Sequence, residues 1–309
     1  MSDVHVTETI HPDALALMTA AGLSVSCGWQ GDDPGAGLAG ARAWIVRTHP
    51  LTPALMDAAP GLRVISKHGV GVDNIPVTAA LERGLIVTNT PGANAHAVAE
   101  HTMMLMLALA RRAMAMDASA RAGFAGQMTL GPVDLEGRGI VIAGYGAIGR
   151  RVAQLCAAFG MQVTVWHRRL STQEAGFPVV RDLAQALPAA QVLSLHLPLV
   201  EGTRGLIGAR ELALLPEGAI VLNTGRGGVV DEAALVAAAP RLGGIGLDVF
   251  ASEPPAPDDP LFGLENALFS PHAAAHSPGS FRRMGMMAAQ NVIDGLAGRL
   301  TGDQAGVLG

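Results

Sequence analysis

The sequence predicts an α/β protein built from two doubly wound parallel-sheet domains. Three observations carry that expectation. Short β-like apolar runs alternate with helical segments along nearly the whole chain, 309 residues is long for one core and comfortable for two, and a glycine cluster at 144–149 abruptly opens a second α/β series. Half of the residues are hydrophobic and 15% are charged, which supports large cores and excludes a disordered chain. The net charge of -5 argues against a nucleic-acid partner, which needs a basic face.

The first series has strand patterns at 4–7, 23–26, 43–46, 63–66 and 85–87, with helix patterns at 12–21, 53–59 and 77–83. The first two helices carry proline near their start, where the missing N–H costs nothing. A helix rich in Ala, Met and Leu is predicted over 95–119. Being apolar nearly all round, it must be buried on several sides, either as a bridge between domains that also packs on a partner subunit or as an ordinary core helix. After a Gly- and Pro-containing loop at 123–134 come a strand at 139–143, a helix at 148–159 and a strand at 162–166. Further strands are expected at 191–195, 219–223, 244–248 and 268–270, and the proline- and acid-rich run 253–260 is expected to be a solvated loop.

No basic segment followed by an apolar run marks the N-terminus, and the apolar stretch 102–110 is far shorter than the roughly 20 residues a bilayer requires. The expectation is a cytoplasmic protein with no membrane association. Cys27 and Cys156 have no metal-ligand spacing and read as small apolar residues in a reducing compartment.

Gly144-Tyr145-Gly146-Ala147-Ile148-Gly149 is a G-x-G-x-x-G run. The pattern alone is weak in a chain with 39 glycines, but here it joins a strand to a helix and a second strand follows. Gly144 permits the tight turn, Gly146 lets a diphosphate approach the backbone, and Gly149 lets the helix pack on the strand. The helix-start N–H groups of Ala147 and Ile148 then face the anion. The second strand ends Trp166-His167-Arg168-Arg169, without the acidic residue that accepts the ribose hydroxyls of NAD. One histidine and two arginines there favour NADP over NAD. The alternative is a basic surface turn, with NAD held by other contacts.

Arg226 lies in Asn223-Thr224-Gly225-Arg226-Gly227, Glu253 in the segment that begins Leu247-Asp248-Val249-Phe250, and His272 in Ser270-Pro271-His272. Each follows a predicted strand, at the edge where open parallel sheets bind ligands. Carbonyl reduction builds negative charge on oxygen and calls for a fixed cation and a proton donor, which Arg226 and a His–carboxylate pair can supply.

With these motifs, and with Lys67-His68-Gly69-Val70-Gly71-Val72-Asp73-Asn74, Asn89-Thr90-Pro91-Gly92 and Ala99-Glu100-His101-Thr102, nearly the whole chain resembles the D-isomer-specific 2-hydroxyacid dehydrogenases. That family includes phosphoglycerate dehydrogenase and glyoxylate/hydroxypyruvate reductase. The resemblance implies a flavodoxin-like substrate domain over 1–95 plus 283–309, a Rossmann dinucleotide-binding domain over 96–282, and a cleft between them. It further implies that Arg226 holds the substrate carboxylate and polarises the carbonyl, that His272 is the acid–base, and that Glu253 bonds His272 and favours the imidazolium. The Gly69–Gly71 backbone, with Val70, would receive the carboxylate. Asp248 would bind the nicotinamide carboxamide. His196, Pro198 and Thr203 would border the cofactor, and Thr102 with the Thr224–Gly225 backbone would complete the walls.

His96, His101 and His276 are given no functional role by the sequence, and no metal site is expected. Arg47 and Lys67 match cationic positions that contact substrate phosphate in phosphoglycerate dehydrogenases. Lysine is the less directional phosphate ligand, however, and a chain ending at 309 leaves no room for an appended regulatory domain. The expected substrate is therefore glyoxylate, hydroxypyruvate or a related 2-keto acid, with 3-phosphoglycerate second. A homodimer is implied by the resemblance. A dinucleotide-sensing binding protein of the corepressor type is the alternative from another class.

Overall fold

A computed structural model describes residues 2–31, 33–129, 131–300 and 306–308. It divides into two compact units, one made of Met1–Asn94 with Ala275–Gly309 and the other of Ala95–Ala274. In chain order the first unit contains β1 (Val4–Val6), α1 (Pro12–Ala20), β2 (Val25–Cys27), β3 (Ala43–Val46), α2 (Pro53–Asp57), β4 (Val64–Lys67), α3 (Val77–Glu82) and β5 (Ile86–Thr88). The second contains α4 (Ala95–Ala110), α5 (Ala113–Arg121), β6 (Gly139–Ala143), α6 (Ala147–Ala158), β7 (Gln162–Trp166), α7 (Thr172–Ala175), β8 (Val179–Val180), α8 (Leu183–Ala186), β9 (Val192–Leu195), α9 (Ala209–Leu214), β10 (Ile220–Asn223), α10 (Glu232–Ala238), β11 (Gly244–Leu247) and β12 (Ala267–Phe269). The chain then returns to the first unit through α11 (Pro278–Leu296) and β13 (Val307–Leu308).

Both sheets are α/β and doubly wound, as the alternation of patterns requires. The first has the order β13-β5-β4-β3-β1-β2 and is parallel except for β13, which runs antiparallel to β5. The second is wholly parallel, with the order β12-β11-β10-β9-β6-β7-β8. Its chain direction switches between β6 and β9, where such sheets open a crevice at their carboxyl ends. Register fixes what that edge contains. Trp166, Ala143, Leu195, Asn223, Leu247 and Phe269 lie level across six strands. The residues that follow them (His167, Gly144, His196, Thr224, Asp248 and Ser270) therefore all leave the sheet along one line.

Two expectations need correction. The predicted helix over 95–119 is broken: α4 stops at Ala110 and α5 starts at Ala113, with Arg112 at φ 52 in the left-handed region. The cause is burial. Ten of the sixteen α4 residues are buried, six of them in the second unit's core, whereas only Ser119 is buried in α5, so the apolar composition past residue 110 has no core to cover. The expected boundary at 282/283 falls inside α11. That helix is continuous from its Ser277 N-cap onward, and its small buried residues Gly285, Ala288, Ala289 and Gly295 let it lie close to the first sheet. A Cβ at Gly295 would stand 2.7 Å from Val64, and Ser66 Oγ donates to Ala288 O at 3.1 Å. The whole helix thus belongs to the first unit.

A carboxylate that the sequence reading passed over organises the carboxyl edge of the first sheet. Glu8, just beyond β1, accepts the N–H groups of Arg47, Thr48 and His49 at 2.9, 2.5 and 2.6 Å. It also accepts the Thr48 hydroxyl at 2.7 Å and that of Thr7. Partial burial pushes its pKa up, but the Thr7 and Thr48 hydroxyls and the backbone donors outweigh burial and hold it at about 2. The stabilisation is therefore complete above the ordinary value of 4.5 and is lost as pH falls from there toward 2. Glu8→Gln should lower the melting temperature by about 3 °C near neutral pH, allowing for solvent screening of a half-exposed group. Thermal denaturation as a function of pH should show that gap closing below pH 4.5. A gap that stays constant down to pH 2 contradicts the assignment.

Candidate active site

The dinucleotide cradle lies where β6 meets α6. Gly144 has φ 96, and a Cβ there would stand 2.5 Å from His196 O; at Gly149 it would stand 2.0 Å from Gly144 O. Those two glycines are required by close approach. Gly146 differs, because a Cβ there would meet nothing within 4 Å. It is the N-cap of α6 and no side chain caps that helix. An open space facing unsatisfied helix-start N–H groups, Ala147 and Ile148 among them, fits a diphosphate. The structure thus suits the cofactor implied by the glycine run.

At the end of β7 the three basic residues separate. His167 Nδ1 accepts the N–H groups of Arg169 and Leu170 at 3.2 and 2.8 Å, so a neutral ring carries its proton on Nε2. Arg168 Nη2 donates to Gly202 O at 2.7 Å, and its guanidinium lies over the Trp166 ring at 5.8 Å. Arg169 makes no side-chain bond among the described residues and is exposed. Across the switch point, His196 Nε2 meets Ser194 Oγ at 2.8 Å, and burial pushes its pKa down to about 4, so it is neutral. Thr203 Oγ1 donates to Pro198 O at 2.6 Å and accepts Val200 N–H at 2.9 Å, which makes it the clasp of its own turn.

Asn223 shapes the loop that carries Arg226. Its Oδ1 accepts Gly225 N–H at 3.1 Å and its Nδ2 donates to Arg226 O at 2.9 Å. Arg226 Nη1 donates to Gly225 O at 2.8 Å. A Cβ on Gly227 would fall 1.9 Å from the carbonyl carbon of Phe250, so only glycine lets this loop lie directly on the backbone leading to Glu253. Thr224 is held by its hydroxyl, 3.0 Å from Thr102 Oγ1 on α4.

Glu253 Oε1 accepts Phe250 N–H at 3.0 Å, while Oε2 lies 2.7 Å from His272 Nδ1. Both carboxylate oxygens are thus committed, and His272 Nε2 makes no hydrogen bond among the described residues. His272 has φ 50, a left-handed conformation rarely adopted by residues with a side chain. Its N–H donates to Asp248 O at 2.8 Å and to Ser270 O at 3.0 Å. Asp248 is 1% exposed; its Oδ1 accepts Ser270 Oγ at 2.6 Å and Ala273 N–H at 2.8 Å, and its Oδ2 accepts Ala274 N–H at 3.0 Å. Asp248 therefore builds the His272 loop, in addition to any contact with a cofactor. Beside it is a pocket of about 450 Å³, walled by Phe250, Phe262, Phe269 and Pro271, with Glu253 and His272 at its polar rim.

The other predicted site residues gather within the first unit. Lys67 Nζ donates to Arg47 O and Asn74 Oδ1, so this ammonium ties two loops together. The Arg47 guanidinium lies 5.8 Å from the Phe281 ring centroid. Gly69 has φ 145 and donates to Thr90 Oγ1 at 3.1 Å, while the N–H groups of Val70 and Gly71 make no hydrogen bond among the described residues. His68, next to this loop, is 3% exposed, and burial pushes its pKa down to about 4. Sequence reasoning missed Glu8 and Ser270 and gave His101 no role. A lone carboxylate, serine or histidine carries no motif, and only the strand register brings them to these edges.

The family model for the D-isomer specific 2-hydroxyacid dehydrogenase, NAD binding domain, matches residues 103–274. The chain is 41% identical over 252 residues to the glyoxylate reductase of Aeropyrum pernix, covering 77% of this chain and 75% of that protein. It is 35% identical over 299 residues to the D-3-phosphoglycerate dehydrogenase of Archaeoglobus fulgidus, covering 94% of this chain but only 56% of that longer protein. Among solved structures, the TT0316 protein from Thermus thermophilus superposes with a TM-score of 0.88 at 38% identity, covering 96% of this chain and 97% of that one. With its Rossmann-type sheet, its glycine cradle and a family match over more than half its length, the chain belongs to the D-isomer specific 2-hydroxyacid dehydrogenase family.

Proposed function

We propose that the protein reduces a small 2-keto acid of the glyoxylate or hydroxypyruvate class to the 2-hydroxy acid, with NADPH as the preferred cofactor. The observation that carries this reading is the 2.7 Å contact of His272 Nδ1 with Glu253, beside the Arg226 loop and at the same sheet edge as the dinucleotide cradle. Held at the Gly144–Gly149 cradle, a bound nicotinamide cofactor would supply the hydride that carbon 2 receives. The imidazolium of His272 donates its Nε2 proton to the carbonyl oxygen as charge develops there, leaving neutral imidazole and a hydroxyl group. Glu253 aligns the ring and balances its charge. Arg226 pairs with the carboxylate and polarises the carbonyl.

The preference for this class over 3-phosphoglycerate rests on Lys67, whose ammonium already bonds Arg47 O and Asn74. The preference for NADPH rests on His167, whose Nε2–H points away from the turn it caps, together with the exposed Arg169. Arg168 is instead tied to Gly202 O and lies over the Trp166 ring. The second unit also leaves Met104, Met114, Phe124 and Met128 exposed on α4, α5 and the turn after them, apolar side chains in keeping with a second copy of the chain as partner. Cys27 and Cys156 are free thiols, in keeping with a reducing, cytoplasmic location.

Two experiments test this reading. With glyoxylate, hydroxypyruvate and phosphohydroxypyruvate in turn, the wild type should oxidise NADPH fastest with one of the first two. His272→Ala should lower kcat by about 10²–10⁴, while NADPH affinity read by fluorescence stays within about threefold. No turnover of any acid by the wild type would favour a dinucleotide-sensing binding protein. Separately, the double substitution His167→Asp with Arg169→Ser should weaken NADPH binding by about 10- to 100-fold, as expected for losing charge-assisted phosphate contacts, and leave NADH binding equal or tighter. Unchanged NADPH affinity would refute the cofactor assignment.

A further inference from the structure

The first turns of α4 hold two neighbouring residues that reach the two loops of the site separately. Thr102 Oγ1 donates to Val98 O at 2.8 Å and therefore accepts the Thr224 hydroxyl, 3.0 Å away, at the base of the Arg226 loop. One residue earlier, His101 Nε2 lies 2.7 Å from Ser270 Oγ and 3.6 Å from Asp248 Oδ1. We propose that His101 is a positioning residue of the reaction, acting through Ser270 and Asp248 to hold the loop on which His272 stands.

Donor and acceptor roles along this chain follow from chemistry. The Asp248 carboxylate only accepts, so Ser270 Oγ–H donates to it at 2.6 Å, and the serine oxygen is left to accept from His101 Nε2–H. His101 thereby fixes the serine rotamer. Ser270, with the Ala273 and Ala274 N–H groups, then fixes the buried carboxylate, whose own backbone oxygen receives His272 N–H. His272 sits at φ 50 and returns to an ordinary conformation unless its surroundings hold it there. Without the His101 donor, Ser270 can rotate toward other partners and Asp248 loses one of the contacts that fix its orientation. The consequence lies in the aim of the imidazole rather than in cofactor binding. Since Thr102 secures the Arg226 loop in the same way, adjacent positions on α4 set the spacing of guanidinium and imidazole.

This rests on His272 being the proton donor, and the test separates the two claims. His101→Phe keeps the ring's bulk without a donor, and His101→Gln returns an N–H at the reach of Nε2. In the full-length protein with NADPH and a 2-keto acid, His101→Phe should lower kcat about tenfold or more, with NADPH affinity within about threefold. His101→Gln should recover kcat to within about threefold of wild type. Hydrogen exchange at the Ala273 and Ala274 amides, which needs no turnover, should speed up about tenfold in His101→Phe and not in His101→Gln. Wild-type kcat and exchange in His101→Phe, or a His101→Gln variant impaired as badly as His101→Phe, would overturn the proposal. Exchange that responds as described in a protein that reduces no 2-keto acid would leave the positioning role standing and remove the proton-donor reading.

Discussion

A buried carboxylate holds the proposed active site together. Asp248 is almost wholly removed from water, which for a charge costs several kcal/mol unless both carboxylate oxygens find donors. It finds them in one short segment: Ser270 Oγ and the Ala273 and Ala274 N–H groups. Bonds of this kind contribute about 1.5–3 kcal/mol each, whereas a left-handed residue with a side chain costs about 1–2. The carboxylate therefore outweighs the strain at His272, and the loop stays folded around a conformation it would not adopt alone.

The remaining geometry follows from sheet register. Because Leu195, Asn223, Leu247 and Phe269 lie level on adjacent parallel strands, the chain leaves the sheet four times within one short line. Groups far apart in sequence are thereby delivered to one edge without any loop having to reach far. Glycine then permits the closest approaches. Gly149 lets α6 meet the turn after β6, and Gly227 lets the Arg226 loop lie on the backbone before Glu253. The carboxylate of Glu253, held by Phe250 N–H on one oxygen and His272 on the other, is the last member placed.

Much of this was legible in the sequence, and the reasons are physical. Central parallel strands are apolar on both faces, so 43–46, 139–143 and 162–166 coincide with the observed strands, and proline at the first turn marked α1 and α2. The glycine run was readable because its three members answer to distinct steric demands. The break at Arg112 was not, because composition reports how apolar a helix is but not where the core it covers ends. The two-residue strands β8 and β13 are too short to have a period. The contacts of Glu8, His101 and Ser270 escaped notice because their meaning depends on neighbours 40, 169 and 22 residues away.

The central claim is that this scaffold aims the free nitrogen of His272 at the oxygen of a bound 2-keto acid. A crystal structure with NADPH and oxamate, a non-reducible isostere of such acids, tests it most directly. The account predicts His272 Nε2 at about 3 Å from the oxamate carbonyl oxygen, with Arg226 paired to the carboxylate and carbon 2 against the nicotinamide ring. Oxamate bound with its carbonyl turned away from His272, or an imidazole facing solvent in the filled site, would contradict it.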